Sequence, residues 1–246
     1  MSFLIIGASS GLGRELAFKF AQEKNNLIIV SRDIRDLNAL KSDLELKFKV
    51  KVQCIALDFS SLEEINQKLL SNKDSLKDIN GILFPIGLMF ENDKFDVNVE
   101  NSKKLIYANF LSISYIINKL SNNFKNLNST IIGFGSVSGL LGRNLNTHYA
   151  AAKRGLESFF ESLAFDENFK NTKIQFYTLG YLDTNLAFGK KINLPKGSIK
   201  KLAQIVYENK NASYKKIFYP RFWSIIGFFL KILPFNLVIK LYKVFN

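Results

Sequence analysis

Short, mainly apolar runs alternate with longer stretches of helical spacing along most of the 246 residues. The runs are Phe3 to Ile6, Leu27 to Val30, Val50 to Leu57, Ile79 to Phe84, Ile131 to Phe134 and Ile174 to Leu179. Each reads as a strand, and Leu27 to Val30, fully apolar, is consistent with a parallel strand covered on both faces. Between them, apolar residues recur at helical spacing: Leu16, Ala17, Phe20 and Ala21 after the first run, Asp36 to Phe48 after the second, and a long segment from Val97 to Asn123. Ser60 or Ser61 with Glu63 or Glu64 makes a capping-box start for the helix after the third run. Alternating strands and helices with short connections predict an α/β fold: a doubly wound parallel sheet in three layers, with ligands at the carboxyl ends of its strands.

Residues 185 to 197 are polar and bear glycine and lysine, which fits a mobile lid. Ser198 caps a short helix to Glu208, and Lys216 to Tyr219 is a last strand. These readings give a domain over residues 1–220 and an extension over 221–246. The extension predicts two amphipathic helices separated by Pro234, one with Ser224, Gly227 and Lys231 on a narrow stripe, the other with Asn236, Lys240 and Lys243. Neither is long enough to span a bilayer, because Lys231 and Pro234 interrupt the apolar run. Wide apolar faces with cationic edges suit peripheral insertion into an anionic leaflet; burial in a subunit interface or over the protein's own core is the alternative.

Charge sharpens this division. The net charge is +13, but from Gly189 onward twelve Lys or Arg face one acidic residue, Glu208, which is +11, while the first 188 residues carry twenty-two against twenty, which is +2. A nucleic-acid partner is therefore not expected of the body, and an anionic partner would meet the last quarter of the chain. Cys54, the only cysteine, reads as a small buried hydrophobe rather than a reactive thiol. The opening M-S-F-L-I-I-G has no basic leader, so a cytoplasmic protein is expected. No metal-ligand spacing stands out.

Candidate chemistry lies at the ends of the predicted strands. After the first strand comes G7-A-S-S-G-L-G13 and then a helix, the arrangement that sets backbone N–H groups and a helix N-terminus against a phosphate. Gly7, Gly11 and Gly13 permit the tight turn, with Ser9, Ser10 and Leu12 between them. At the end of the second strand a carboxylate would hold a ribose 2′-OH and a guanidinium a 2′-phosphate; here Ser31 takes the first place and Arg32 follows, favouring NADP(H) over NAD(H) unless Arg32 is simply a solvated loop residue. Asp58, followed by Phe59, ends the third strand where an adenine would lie, and Gly87 and Gly180 end two others. Tyr149 and Lys153 are four apart, so on a helix they share a face, and a nearby ammonium favours the phenolate needed for general acid–base chemistry. Ser136, at the end of the fifth run, would give a carbonyl a second hydrogen-bond partner. Asn109, polar among Ile106, Phe110 and Ile113, is either exposed or used inside. His148, the only histidine, edges the substrate mouth or serves as a loop or cap residue.

G-A-S-S-G-L-G, Asn109, Ser136 and Y-A-A-A-K together resemble the short-chain dehydrogenase/reductase family in its single-domain form, in register from about Phe3 to Thr184. The resemblance implies a Rossmann-type fold binding NAD(P)(H) and interconverting a ketone and a secondary alcohol. It implies Tyr149 as catalytic acid or base, Lys153 on the nicotinamide ribose, Ser136 orienting the carbonyl and Asn109 in a water relay to Lys153. Gly180 to Thr184 resembles the family's segment over the nicotinamide, which adds Leu182 and Thr184 to the cofactor contacts, and a homo-oligomer is the expected assembly. Three departures stand out: Ile6 for the usual Thr or Ser, Phe84-Pro85-Ile86-Gly87 for Asn-Asn-Ala-Gly, and Leu179 for Pro. The altered residues 84–86 leave a catalytically silent NADP(H)-binding sensor or scaffold as the alternative. A basic, proline-broken hydrophobic tail is similar to that of bacterial relatives including reductases of polyprenyl-linked keto-sugars, so a small-molecule, sugar or lipid-linked carbonyl substrate is expected.

Overall fold

The computed structural model describes residues 1–71, 76–90, 93–94, 98–124, 129–142, 144–183 and 195–245, without the side chains of 123–124 and 241–245. Seven parallel strands form one sheet in the order β3-β2-β1-β4-β5-β6-β7. They are β1 (Ser2–Ile6), β2 (Asn26–Ser31), β3 (Val52–Ala56), β4 (Gly81–Phe84), β5 (Thr130–Ser136), β6 (Lys173–Leu179) and β7 (Lys215–Tyr219). The order reverses beside β1, where Ile5 is in register with Ile29 of β2 on one side and Leu83 of β4 on the other. This is the Rossmann-type arrangement expected, and the reversal is where a doubly wound sheet opens a crevice.

Alternation along each strand divides the core. Leu4 and Ile6 of β1 point into one apolar cluster, Phe3 and Ile5 into the other. The second cluster is closed by α1 (Gly11–Gln22), α2 (Ile34–Phe48) and α6 (Ile199–Asn209); the first by the turns of Leu62–Glu64 and Ile65–Leu70, by α4 (Ser112–Lys119), which follows α3 (Val99–Ile106), and by α5 (Thr147–Leu163). The helix starts follow the predicted caps: Ser61 Oγ accepts the Glu64 amide at 3.2 Å and Ser198 Oγ the Lys201 amide at 3.3 Å. The capping box is not reciprocal, however. The Glu64 carboxylate turns to the Asp58 amide, 3.1 Å away, and so closes the β3 exit instead.

Two elements differ from the pattern. The predicted helix of 97–123 is interrupted: α3 passes into a wide π-type turn over Tyr107–Leu111 before α4, and Val97 lies outside the described residues. In the extension, α7 (Trp223–Ile232) and α8 (Phe235–Phe245) flank Pro234 as expected, but Gly227 of the supposed polar stripe is buried against the body. A Cβ there would lie 3.3 Å from the Phe218 ring and 3.5 Å from Leu140. The helix rests on its smallest residue and turns Ile225, Phe228, Phe229 and Ile232 outward, each more than half exposed. Cys54 is half-buried in β3, and burial pushes its thiol pKa up.

Candidate active site

The turn after β1 has the backbone its glycines allow. Gly7 and Gly11 adopt φ of +94° and +50°, and a Cβ on Gly13 would lie 1.9 Å from the Gly7 carbonyl oxygen, so helix and turn approach as closely as only glycine permits. Ser10 caps α1 without a side-chain hydrogen bond, and no acidic residue enters its first turn. The α1 amides are thus left for an external anion, which is what a dinucleotide pyrophosphate supplies. Ser9 and Ser31 hydrogen-bond at 2.8 Å, tying the turn to the end of β2. Beyond Ser31, Arg35 is engaged by Asp33 at 2.7 Å, whereas the exposed Arg32 makes no ion pair among the described residues. These groups fit a nicotinamide dinucleotide with a phosphate or hydroxyls near Arg32.

Other predicted cofactor contacts present backbone rather than side chain. Leu12, Phe59 and Leu182 are buried in the core. Phe59 lends its carbonyl to the Ser112 hydroxyl at 2.6 Å, and Asp58 Oδ1 accepts the Ser60 amide at 2.9 Å. Gly87 is exposed, and Thr184 and most of the proposed lid lie outside the described residues. Gly180 carries the Trp223 indole: a Cβ there would sit 2.0 Å from Nε1. Among the described residues no group of His, Cys, Asp or Glu is arranged to hold a metal ion.

Tyr149 and Lys153 do share one face of α5, with the Lys153 ammonium 5.8 Å from the Tyr149 ring centre. Lys153 is buried, and its Nζ donates to the carbonyls of Phe134 at 3.0 Å and Ile86 at 3.2 Å. Two backbone oxygens at neighbouring strand ends therefore hold the cation. Ser136, at the end of β5, accepts the Ser138 amide at 3.1 Å, and among the described residues nothing takes its hydroxyl proton. Asn109 is fully buried in the π-type turn. Its Nδ2 donates to Leu105 O at 2.9 Å and Leu88 O at 2.8 Å, and its Oδ1 accepts the Leu88 amide at 3.2 Å. The extra residue of a π-turn frees backbone groups and re-aims a side chain, here toward the segment after β4.

Sequence reasoning singled out Phe84 to Gly87 but missed the hydrogen-bonding residues of that segment. Besides Ile86 and Leu88 it contains Asp93, whose carboxylate accepts the amides of His148 at 3.0 Å and Tyr149 at 2.9 Å, with His148 Nδ1 also 3.0 Å away. A lone Asp in a polar loop carries no periodic or motif signal. His148 accordingly sits in the first turn of α5 with its ring on Asp93.

Burial pushes the Lys153 pKa down from the ordinary 10.5 to about 7. Between those values the unfolded chain binds the proton that the folded chain has lost, so stability should rise with pH across that window. Replacing Lys153 by Met removes the titration. From pH 7 to 10.5 the ligand-free wild type is expected to gain up to ~5 kcal/mol relative to Lys153→Met, read by urea unfolding at intervals of pH; parallel curves would refute it.

Comparison with known proteins agrees with this geometry. The family model described as short chain dehydrogenase matches residues 2–193. The hydroxysteroid 11-beta-dehydrogenase 1-like protein B of Xenopus laevis is 26% identical over 240 residues, 92% of this chain and 80% of that protein. The very-long-chain 3-oxoacyl-CoA reductase of Homo sapiens is 27% identical over 200 residues, 79% of this chain but only 64% of its own length. In fold, the short-chain dehydrogenase from Sphingobium yanoikuyae in complex with NADPH matches 87% of each chain with a TM-score of 0.76 at 20% identity. The chain therefore belongs to the short chain dehydrogenase family and is an NAD(P)-dependent oxidoreductase.

Proposed function

We propose that this chain uses NADP(H) to interconvert a ketone and a secondary alcohol on an apolar, lipid-linked or sugar substrate. The observation that carries the reading is the Lys153 ammonium, fixed by two strand-end carbonyls on the helix face that bears Tyr149. Held at the α1 N-terminus and by Arg32, NADPH would supply a hydride to the carbonyl carbon. In reduction Tyr149 gives its phenolic proton to the carbonyl oxygen, so that one C–H and one O–H bond form as the C=O π bond opens. Ser136 donates its hydroxyl proton as a hydrogen bond to the same oxygen, and Lys153 stabilises the phenolate left behind. Asn109, clamped to Leu88, keeps the floor of the site in place for a relay of water to Lys153. Arg32 supports the choice of NADP(H), since a guanidinium without a carboxylate partner is matched to a 2′-phosphate.

The extension supports the substrate class. Its outward Phe and Ile residues lie on α7, whose Trp223 covers Gly180 and whose Gly227 rests on Leu140, just after Ser136. Two relatives bear the names of apolar substrates, a hydroxysteroid and a very-long-chain 3-oxoacyl-CoA. The proposal includes peripheral contact of residues 221–246 with the inner face of a membrane. No acidic residue follows Glu208, while Arg221, Lys231 and Lys240 are exposed on or beside this face. A two-fold contact through it would set like charges together, whereas an anionic leaflet supplies the opposite sign. A homo-oligomer, also proposed, would use other faces. Among the described residues no helix is long and apolar enough to cross a membrane.

Three outcomes are expected. Tyr149→Phe should lose NADPH-dependent turnover with a panel of aliphatic, steroidal and sugar ketones while still binding NADPH by fluorescence titration; a variant as active as wild type removes the mechanism. Arg32→Ala should raise the KM for NADPH by roughly 10- to 100-fold, the loss of one charge-assisted contact, and leave the KM for NADH alone; an equal effect on both defeats the NADP(H) assignment. In flotation assays the protein should bind vesicles containing phosphatidylglycerol in preference to phosphatidylcholine alone, and the double change Phe228→Glu, Phe229→Glu should abolish this with NADPH binding intact. Failure of the wild type to float, or loss of a dimer instead of lipid binding, would overturn the membrane assignment.

A further inference from the structure

Helix α5 begins without a cap of its own. Its N-cap, Asn146, is in the left-handed region (φ 55°, ψ 43°) and makes no side-chain cap hydrogen bond. The first amides of the helix are instead taken by Asp93, 55 residues upstream of His148: its backbone carbonyl accepts the Thr147 amide at 3.2 Å, and its two carboxylate oxygens accept those of His148 and Tyr149. Asp93 is 1% exposed, and a carboxylate buried against a helix N-terminus is held by those amides and by the helix dipole together.

The same strap of chain that ends in Asp93 has already bound two of the other site residues. Ile86 receives Lys153 Nζ, and Leu88 exchanges two hydrogen bonds with Asn109. Three of the four residues assigned to chemistry are therefore fastened to residues of the stretch after β4, and Asp93 fastens the backbone of Tyr149. We propose that Asp93 is a positioning residue: by gripping the backbone of His148 and Tyr149 it fixes the phenol relative to Lys153 and to the crevice beside β4. It acts through the helix start and touches neither substrate nor cofactor. The His148 ring, on the same carboxylate, is a second ligand of the clamp and not the route by which it works. A shift of about 1 Å at a reacting group can cost on the order of 100-fold in rate, which is why a cap two residues from the proton donor matters to more than stability.

The inference rests on the reading of Tyr149 as proton donor, and its test separates the two. Asp93→Ala, Asp93→Asn and His148→Ala are compared with wild type, using an NADPH-dependent ketone reduction normalised to NADPH-binding sites and, independently of turnover, amide hydrogen exchange across α5. Asp93→Ala is expected to speed exchange at 147–149, leave the NADPH dissociation constant unchanged and lower kcat per binding site about 10- to 100-fold. Asp93→Asn, which keeps one acceptor, should recover part of that loss, and His148→Ala should leave kcat near wild type. Unchanged exchange in Asp93→Ala overturns the clamp even if no ketone is turned over by any form. Full kcat per binding site in Asp93→Ala, or an equal loss in His148→Ala, overturns the positioning role, whereas wild-type activity in Tyr149→Phe would sink the proton-donor reading alone.

Discussion

The site depends on where one ammonium group can be placed. Lys153 is buried, and in an apolar interior its charge would be forbidding without acceptors. Parallel strands solve this because their carboxyl ends leave carbonyls that no further strand residue claims. Phe134 in β5 and Ile86, two residues past the end of β4, provide them, and the separation of these neighbouring strands sets the position of the Nζ. The sheet thus supplies the coordinates and α5 supplies the reach. Burial still pushes its pKa down to about 7, the cost of taking an ammonium out of water.

Around that ammonium the usual polar brace of the family has been exchanged for packing. Ile6 stands where Thr or Ser is usual and Phe84 where Asn is usual, and both are fully buried in the same cluster as Ile113 and Phe160. Both are apolar residues in apolar surroundings, so neither leaves a buried polar group in need of a partner. The strap after β4 keeps what the exchange could have disturbed, because its grip on Lys153 runs through the Ile86 carbonyl, which does not depend on side-chain identity, and its grip on Asn109 through the backbone of Leu88. This is why the altered Phe84-Pro85-Ile86-Gly87 can coexist with an assembled site.

Apolar runs and glycine spacing made the sheet, the turn after β1 and the shared face of Tyr149 and Lys153 legible before any coordinates, because each is a local consequence of period, turn chemistry or helical geometry. Ser61 and Ser198 were legible as caps for the same reason. What stayed hidden is non-local. The π-type turn at Asn109 exists because that side chain bonds to Leu105 and Leu88 at once, and half of that bargain lies across the crevice. Asp93 caps a helix 55 residues away, so its role has no neighbourhood in the sequence. Glu64, which did sit in a recognisable pattern, accepts the Asp58 amide instead, while the Ser61 amide it would have capped donates to the Asp58 carbonyl.

The orientation of the extension follows from the same kind of competition. Periodicity assigns Ser224, Gly227 and Lys231 to one stripe and leaves open which side faces the body. Packing decides it at Gly227, where the Phe218 ring and Leu140 come close enough that a larger residue would hold the helix away. With the small residue inward, Trp223 drops onto Gly180 and lies tilted against Tyr181, ring centres 6.1 Å apart, and the bulky apolar face has nowhere to go but out. Two glycines, at 180 and 227, therefore do more than permit contact. They dock α7 against the carboxyl end of the sheet, so that the helix with its outward apolar face borders the segments that follow Ser136 and Leu179.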